Sequence, residues 1–299
     1  MAYEPCFDYT NQIVGRLMTI ADARAIVDVL PVPPDAAFMM KYEAQRRSTH
    51  YSTSIEGNQL GLDEIREGIA LADRTGSSQQ QEVRNYWRAL EWVERQIDDG
   101  EIDEQFIRSL HAIIDVRGRG RRTEMSDYRE EECPIVDSAT GAVDYAPPRP
   151  DDVPALMSGL AEWLRSPDAA QLPAPVRAGI LAHRFVSIHP FSDGNGRTAR
   201  ALATAELWFS GYWMRGFLSV EEYYYRDLQR YYDSLMTLVE ATPGVVDAAP
   251  LIYSEGMVVG PGRENSGAFI RGVIPEEERE VVEIEQYLYS GVWGFEYEE

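Results

Sequence analysis

His189-Pro190-Phe191-Ser192-Asp193-Gly194-Asn195-Gly196-Arg197-Thr198-Ala199-Arg200 sets a titratable base, a carboxylate, a Gly-Asn-Gly turn and two arginines within twelve residues. It follows Val176 to Ile188, which reads as an apolar helix. Gly194 and Gly196 let the backbone take positive φ and let a ligand come close to the main chain. Inward-turned N–H groups at such residues make an anion nest. A helix opening over Asn195 to Thr198 would aim its unpaired N–H groups and dipole end at the same place. Arg197 and Arg200 are three apart and share a face of that helix. Their guanidinium forks suit phosphate oxygens. Asp193 stands where a carboxylate can hold Mg²⁺ against those phosphates. His189, with an ordinary pKa of about 6.5, is the natural base for a hydroxyl nucleophile. Each residue alone has an ordinary structural reading, as a capping histidine, a turn or solvent-facing arginines. Their order argues for phosphate-ester chemistry on a Mg-nucleotide. Neither G-x-G-x-x-G after a strand nor G-x-x-x-x-G-K-[ST] is present to suggest a generic phosphate loop.

The stretch resembles the Fic family signature, HxFx[DE]GNGRxxR, and meets every specified position. The resemblance implies transfer of AMP from ATP to a Ser, Thr or Tyr hydroxyl of a target protein. By it, His189 is the base, Asp193 binds Mg²⁺, and Gly194, Asn195, Gly196 and Arg197 hold the phosphates, with Arg200 reaching the γ-phosphate. The intact Gly-Asn-Gly-Arg favours nucleotidyl transfer over the phosphate transfer of the Doc-like branch.

Upstream, Ser52-Thr53-Ser54-Ile55-Glu56-Gly57 closes a segment from Ala36 that reads as helix, with apolar Phe38, Met39, Tyr42 and Ala44. Ser52 and Glu56 share a helix face and Gly57 suits a C-terminal cap. Beside the central signature this is similar to the family's inhibitory motif, [ST]xxxE[GN]. The resemblance implies that Glu56 pairs with Arg200 and takes the γ-phosphate site, leaving the α-phosphate misaligned. It also leaves room for removal of AMP, with Glu56 helping to activate water.

The chain has 299 residues, 44% of them hydrophobic, a net charge of −22 and a pI of about 4.6. Lys41 is the one lysine, so 27 of the 28 basic residues are arginine. That balance argues against nucleic acid or an anionic membrane as partner. Cys6 and Cys133 lack metal-ligand spacing and suggest no disulfide framework. The N-terminus shows no basic and apolar leader pattern, and no run of about 18 apolar residues appears. A cytoplasmic, soluble protein is expected.

Helical periodicity dominates the remainder. Ile13, Leu17, Ile20 and Val27 form a stripe closed by Pro31 to Pro34; Leu60 to Ala72 reads as helix and Ser77 to Gln81 as a polar break. Val83 to Ile97 and Phe106 to Ile114 read as helices, with Leu110-His111 assigned to packing rather than chemistry. Arg117, Arg119, Arg121 and Arg122 read as a solvated loop. Cys133-Pro134-Ile135-Val136 and Gly141 to Tyr145 read as a β-hairpin around a Ser-Ala-Thr-Gly turn. By the resemblance this is the flap that docks the target strand through Cys133, Ile135 and Val136, although Pro134 removes one donor from its edge. Leu156, Leu160 and Leu164 mark another helix, and His183 reads as a core histidine. Val220 to Val239 reads as one tyrosine-rich helix, in which the resemblance puts an adenine-side contact at Tyr231-Tyr232. Past Gly244 the resemblance ends; an acidic helix is expected from Glu276 to Glu285. Trp293, Phe295 and Tyr297 leave open packing on the core, contact with a second subunit in a homodimer, or a mobile end.

These readings combine to a mainly α-helical fold with a β-hairpin flap. They give an N-terminal inhibitory region over 1–103, a catalytic core over 104–243 and an acidic segment of unknown role over 244–299. The expected activity is an autoinhibited, Mg²⁺-dependent protein adenylyltransferase using ATP, its target protein unknown. The rivals are transfer of UMP, phosphocholine or phosphate on the same scaffold, and a non-catalytic nucleotide-sensing interaction module.

Overall fold

The computed structural model describes residues 5, 7–70, 76–115, 125–136, 143–240, 252–259 and 265–272. The chain divides into two compact units, Met1–Pro250 and Leu251–Glu299. The first is mainly helical: α1 (Asn11–Val29), α2 (Pro34–Ile55), α3 (Leu62–Ala70), α4 (Ser78–Glu94) and α5 (Glu104–Ile114) precede a short strand pair. That pair is β1 (Ile135–Val136) and β2 (Val143–Tyr145). Then come α6 (Val153–Leu164), α7 (Pro167–Ala170), α8 (Ala174–Ile188), α9 (Asn195–Phe209), α10 (Val220–Arg226) and α11 (Leu228–Glu240). In the second unit β3 (Ile252–Val259) and β4 (Asn265–Gly272) pair antiparallel over their whole length.

Helix starts follow the expected cap chemistry. The Thr10 hydroxyl accepts the Ile13 N–H, and the Asp103 carboxylate accepts that of Phe106 at 2.7 Å. The polar run Ser77 to Gln81 is not a break. Ser77 caps α4, and Gln80 returns its side chain to the Ser77 N–H, a reciprocal capping box. The sequence expectation mistook a helix start for a loop because both are polar. Likewise the single helix expected over Val220 to Val239 is two. Asp227 leaves helical geometry at φ −133°, and its carboxylate accepts the Arg230 N–H at the start of α11.

The core lies where α5, α6, α8 and α9 meet, with Ile107, Leu110, Met157, Leu160, Leu181 and Leu202 at or near zero exposure. Each such side chain contributes about 1.5–3 kcal/mol by leaving water, so the pair α8–α9 that brackets the loop at 189–194 stands on a rigid base. Phe38 and Met39 are 69% and 53% exposed, and the residues that α2 buries are Ala44, Ser48, Thr49, Ser52, Thr53 and Ile55. Helix α10 is pinned against α2 and α4 by two buried carboxylates. Glu222 binds Arg47 at 3.1 Å, and Glu221 accepts the Tyr86 hydroxyl at 2.9 Å.

The antiparallel β1–β2 pair, Ile135 opposite Tyr145, carries a register irregularity after Ile135. The expected Ser-Ala-Thr-Gly turn, the loop arginines at 117–122 and the acidic stretch at 276–285 lie outside the described residues, as do Cys6, Trp293, Phe295 and Tyr297. Among the described residues no helix is long and apolar enough to cross a membrane.

Candidate active site

Helix α8 ends at His189, whose N–H still donates to Phe185 (3.0 Å) while its own backbone turns left-handed, φ 50°, ψ 59°. A non-glycine residue there carries strain of about 1–2 kcal/mol. The chain then reverses and re-enters a helix at Gly194, φ 75°, the N-cap of α9. Between the two, Phe191 is buried and stacks on the His111 ring at 3.6 Å. The buried Asn195 amide closes a ring with the Phe191 main chain, accepting its N–H at 3.0 Å and donating to its carbonyl at 2.7 Å. Its side chain thus shapes the loop.

His111 also acts on the loop directly. Its Nε2 lies 2.8 Å from the Asp193 carbonyl, which can only accept, so Nε2 carries the proton and Nδ1 accepts from the Ser126 hydroxyl at 2.6 Å. Burial lowers its pKa, in keeping with a neutral ring. The packing role expected of it holds, and it adds a hydrogen bond beneath Asp193 and Gly194.

The two arginines of the central stretch sit on the buried face of α9, each about 3% exposed. Arg197 lies 3.4 Å from Asp193 Oδ1 and 3.6 Å from Glu82 Oε1. Its Nε and Nη1 are buried and make no hydrogen bond among the described residues. Asp193 Oδ1 also accepts the Gly194 N–H at 2.7 Å, and its side chain is about one-third exposed. Every guanidinium nitrogen of Arg200 has a partner instead. It donates to the Ser52 hydroxyl (2.9 Å) and Ser52 carbonyl (2.8 Å), to Glu56 Oε1 (2.7 Å) and to the Tyr231 hydroxyl (3.2 Å). Burial works against its charge, but Tyr231, Glu56 and Tyr86 outweigh that and hold it protonated.

Glu56 therefore pairs with Arg200. Its carboxylate lies over the first turn of α9, where a Cβ on Gly196 would overlap it. That is the positive end of a helix, a place that favours anions. The α2 terminus fixes the position. Gly57, φ 89°, sends its N–H to Ser54, and the Asn58 N–H reaches Thr53, the two bonds of a Schellman cap. Asn58 in turn donates from its side chain to Glu82 at 2.9 Å, so the same glutamate meets the α2 cap and Arg197.

The sequence brings together His189, Asp193, Gly194, Asn195, Gly196, Arg197, Arg200, Ser52, Glu56 and Gly57 around one loop. Tyr231 stacks on Tyr224 (4.8 Å) with its hydroxyl on Arg200, and Tyr232 donates to the Ile55 carbonyl at 3.0 Å. Both tyrosines therefore line the Glu56–Arg200 side. On the hairpin, Cys133 Sγ is 4.0 Å from the Ser192 carbonyl, and the Tyr145 hydroxyl donates to the Ser187 carbonyl at 2.6 Å.

Burial lowers the His189 pKa and the nearby Arg129 cation lowers it further, against the Val186 carbonyl, Glu56 and Asp193, which raise it. The imidazole is thus neutral at pH 7 and able to take a proton. Arg129, Glu82 and Tyr86 escaped notice in the sequence as site residues. A buried arginine or glutamate has no periodic signal of its own, and only the chain's closure shows what each one faces.

Residues 101–207 match the model of the Fic/DOC family. A protein adenylyltransferase Fic of Drosophila willistoni is 29% identical over 202 residues, covering 66% of this chain and 39% of its own length. The corresponding protein of Nematostella vectensis is 30% identical over 178 residues, covering 57% and 39%. The chain thus spans about two fifths of the length of these relatives. Among solved structures, a Fic family protein from Desulfovibrio desulfuricans G20 superposes with a TM-score of 0.66 at 26% identity, over 80% of this chain and 70% of its own. A Fic-domain signaling protein from Bacteroides thetaiotaomicron shares the fold, with a TM-score of 0.63 at 24% identity over 77% and 84%. With the loop and its flanking helices inside the matched segment, residues 101–207 of this chain are similar to the Fic/DOC domain, and the fold is that of solved Fic proteins.

Proposed function

We propose that the protein is a protein adenylyltransferase held in check by its own Glu56. The observation that carries the reading is the arrangement around α9. A neutral histidine ends one helix, the next helix opens toward the same space with two buried arginines, and a carboxylate from α2 engages the second of them. The names of the curated relatives support the same activity.

The residues fit a Mg²⁺-bound triphosphate. Buried donors of Arg197 stand without hydrogen-bond partners among the described residues, and Asp193 offers the carboxylate oxygen such an ion takes when phosphates complete its shell. Bound there, Mg²⁺ would neutralise phosphate charge and help orient the α-phosphate. His189 would accept the proton of a target hydroxyl as its oxygen bonds to the α-phosphorus. The bond from that phosphorus to the bridging oxygen then breaks, and pyrophosphate leaves. The N–H groups of Asn195 to Arg197 and the Arg197 fork would hold the phosphates, joined by that of Gly194 once it leaves Asp193 Oδ1. Arg200, freed of Glu56, would take the γ-phosphate. With Glu56 in place that site is filled by a carboxylate, and a reacting phosphate displaced by about 1 Å can lose on the order of a hundredfold in rate. Tyr231 and Tyr232 are proposed to border the nucleotide, and Cys133, Ile135 and Val136 to receive the target strand. In functional terms the first 103 residues carry the restraint and 104–243 the chemistry. A cytoplasmic setting belongs to the same reading.

Intact mass spectrometry of Glu56→Gly after incubation with Mg-ATP tests this, beside wild type and a Glu56→Gly/His189→Ala double variant. An AMP-sized adduct should form in the first, far more slowly in wild type, and not in the double variant. A UMP-, phosphocholine- or phosphate-sized adduct from the matching donor would replace the nucleotide assignment. If Glu56→Gly gains nothing over wild type, on itself or on labelled lysate proteins, the restraint is wrong. Incubating purified adduct with wild type then reports whether Glu56 also supports AMP removal.

A further inference from the structure

Arg129 is 6% exposed, and the hydrogen bonds of its guanidinium all go to main-chain carbonyls. Its Nε donates to the His189 carbonyl at 2.7 Å, and its backbone N–H to the Pro190 carbonyl at 2.9 Å. Its two terminal nitrogens reach the Glu131 carbonyl (3.0 Å), four residues before β1, and the Pro148 carbonyl, three residues after β2. One side chain thus holds the left-handed turn that presents the imidazole, and both roots of the hairpin beside it. A buried cation needing only neutralisation would be served by a carboxylate. Three carbonyls arranged around a rigid planar fork, with the backbone N–H on a fourth, make a geometric clamp. The hairpin has two further ties to the same helix end, Tyr145 on Ser187 and Cys133 near Ser192. They run alongside the clamp but do not reach the His189 carbonyl.

We propose that Arg129 is a positioning residue that locks the backbone of His189 to both roots of the β1–β2 hairpin, so that the seat for the target and the alignment of the base are set together. The inference rests on the reading of His189 as base and of the hairpin as target dock. It assigns Arg129 no contact with nucleotide, since its partners lie on the α8 side of the loop and the phosphate donors lie on α9.

Arg129→Lys and Arg129→Gln in the Glu56→Gly background test it. Lysine keeps the charge but concentrates its donors at one point, so it cannot span His189, Glu131 and Pro148. Self-modification against Mg-ATP concentration should show kcat lowered ten- to a hundredfold in both variants, with KM for ATP and Mg-ATP affinity by calorimetry within about threefold of the parent. A parallel loss of nucleotide affinity and of the melting transition would make Arg129 merely structural, and unchanged kcat would overturn the proposal. Amide hydrogen exchange gives a second readout that needs no activity. In Arg129→Lys, exchange should rise together at 131–136, 143–148 and 189–192 while α9 stays protected. A rise confined to one of these segments, or none, overturns the coupling. If the Glu56→Gly parent forms no adduct on itself or on labelled lysate proteins, the adenylyltransferase reading fails, and the exchange measurement still decides whether the clamp exists.

Discussion

At His189 two demands meet. As the proposed base, the imidazole must be neutral to accept a proton, while it stands at the end of a helix in a backbone conformation that side chains avoid. Burial and Arg129 meet the first by lowering its pKa. The clamp by Arg129 and the Phe185 hydrogen bond meet the second. The acid limb of kcat/KM for Glu56→Gly should therefore fall at a midpoint below the free-imidazole value of about 6.5. Glu56 is among the groups raising that pKa, so its removal shifts the midpoint in the same direction. A midpoint above about 6.5 would mean that another group limits the rate. Most of this was legible in the sequence, because base, carboxylate, glycines and arginines lie within twelve residues. The helper residues were not. Arg129, His111 and Glu82 are 60, 78 and 107 positions from His189 along the chain, as the numbering shows, and each shapes the loop through a carbonyl or a partner arginine that no local pattern foretells.

The α2 terminus shows what an element contributes that its residues alone do not. Glu56 meets Arg200 because the helix ends where it does, and the helix ends through Gly57, whose positive φ closes the Schellman cap. An alanine Cβ at that position would touch nothing within 4 Å, so Gly57→Ala adds backbone strain without a clash. That strain is about 1–2 kcal/mol, enough to weaken the seating of Glu56 by roughly five- to thirtyfold. Basal transfer by Gly57→Ala should rise above wild type yet stay below Glu56→Gly, measured as initial adduct formation. A rate equal to wild type would show that the cap does not hold the carboxylate in place. The cap was readable from Glu-Gly at the end of a periodic segment. The start of α4 was misread because Ser-Ser-Gln-Gln is as polar as a loop, and its capping box depends on a reciprocal bond. The division of α10 from α11 escaped because tyrosines run across it, although Asp227 carries the capping chemistry. The β3–β4 pair was missed despite Gly260-Pro261-Gly262 lying between two runs of strand-forming residues.

Across the whole molecule, charge and histidine burial act in opposite senses as pH falls. The net charge of −22 implies self-repulsion that protonation of carboxylates relieves, mainly near their ordinary pKa values of about 4. The four histidines titrate first. Burial lowers the pKa of His50, His111, His183 and His189 alike. Below about 6.5 the unfolded chain thus binds protons that the folded chain refuses, so stability must fall with pH through that window. The contribution is fully present above the unfolded value and is lost progressively beneath it. At 0.15 M salt the Debye length is about 8 Å, which damps the long-range repulsion and leaves the buried imidazoles to dominate between pH 7.5 and 5.5. The melting temperature at that ionic strength should therefore drop across this interval, with net proton uptake on unfolding. A melting temperature that rose instead would mean relief of carboxylate repulsion already prevails at mild acidity, and that the four imidazoles are not held neutral by the fold. Composition alone revealed the acid excess, but not the histidine effect, because four scattered histidines become one acid-sensitive set only through the packing that buries each of them.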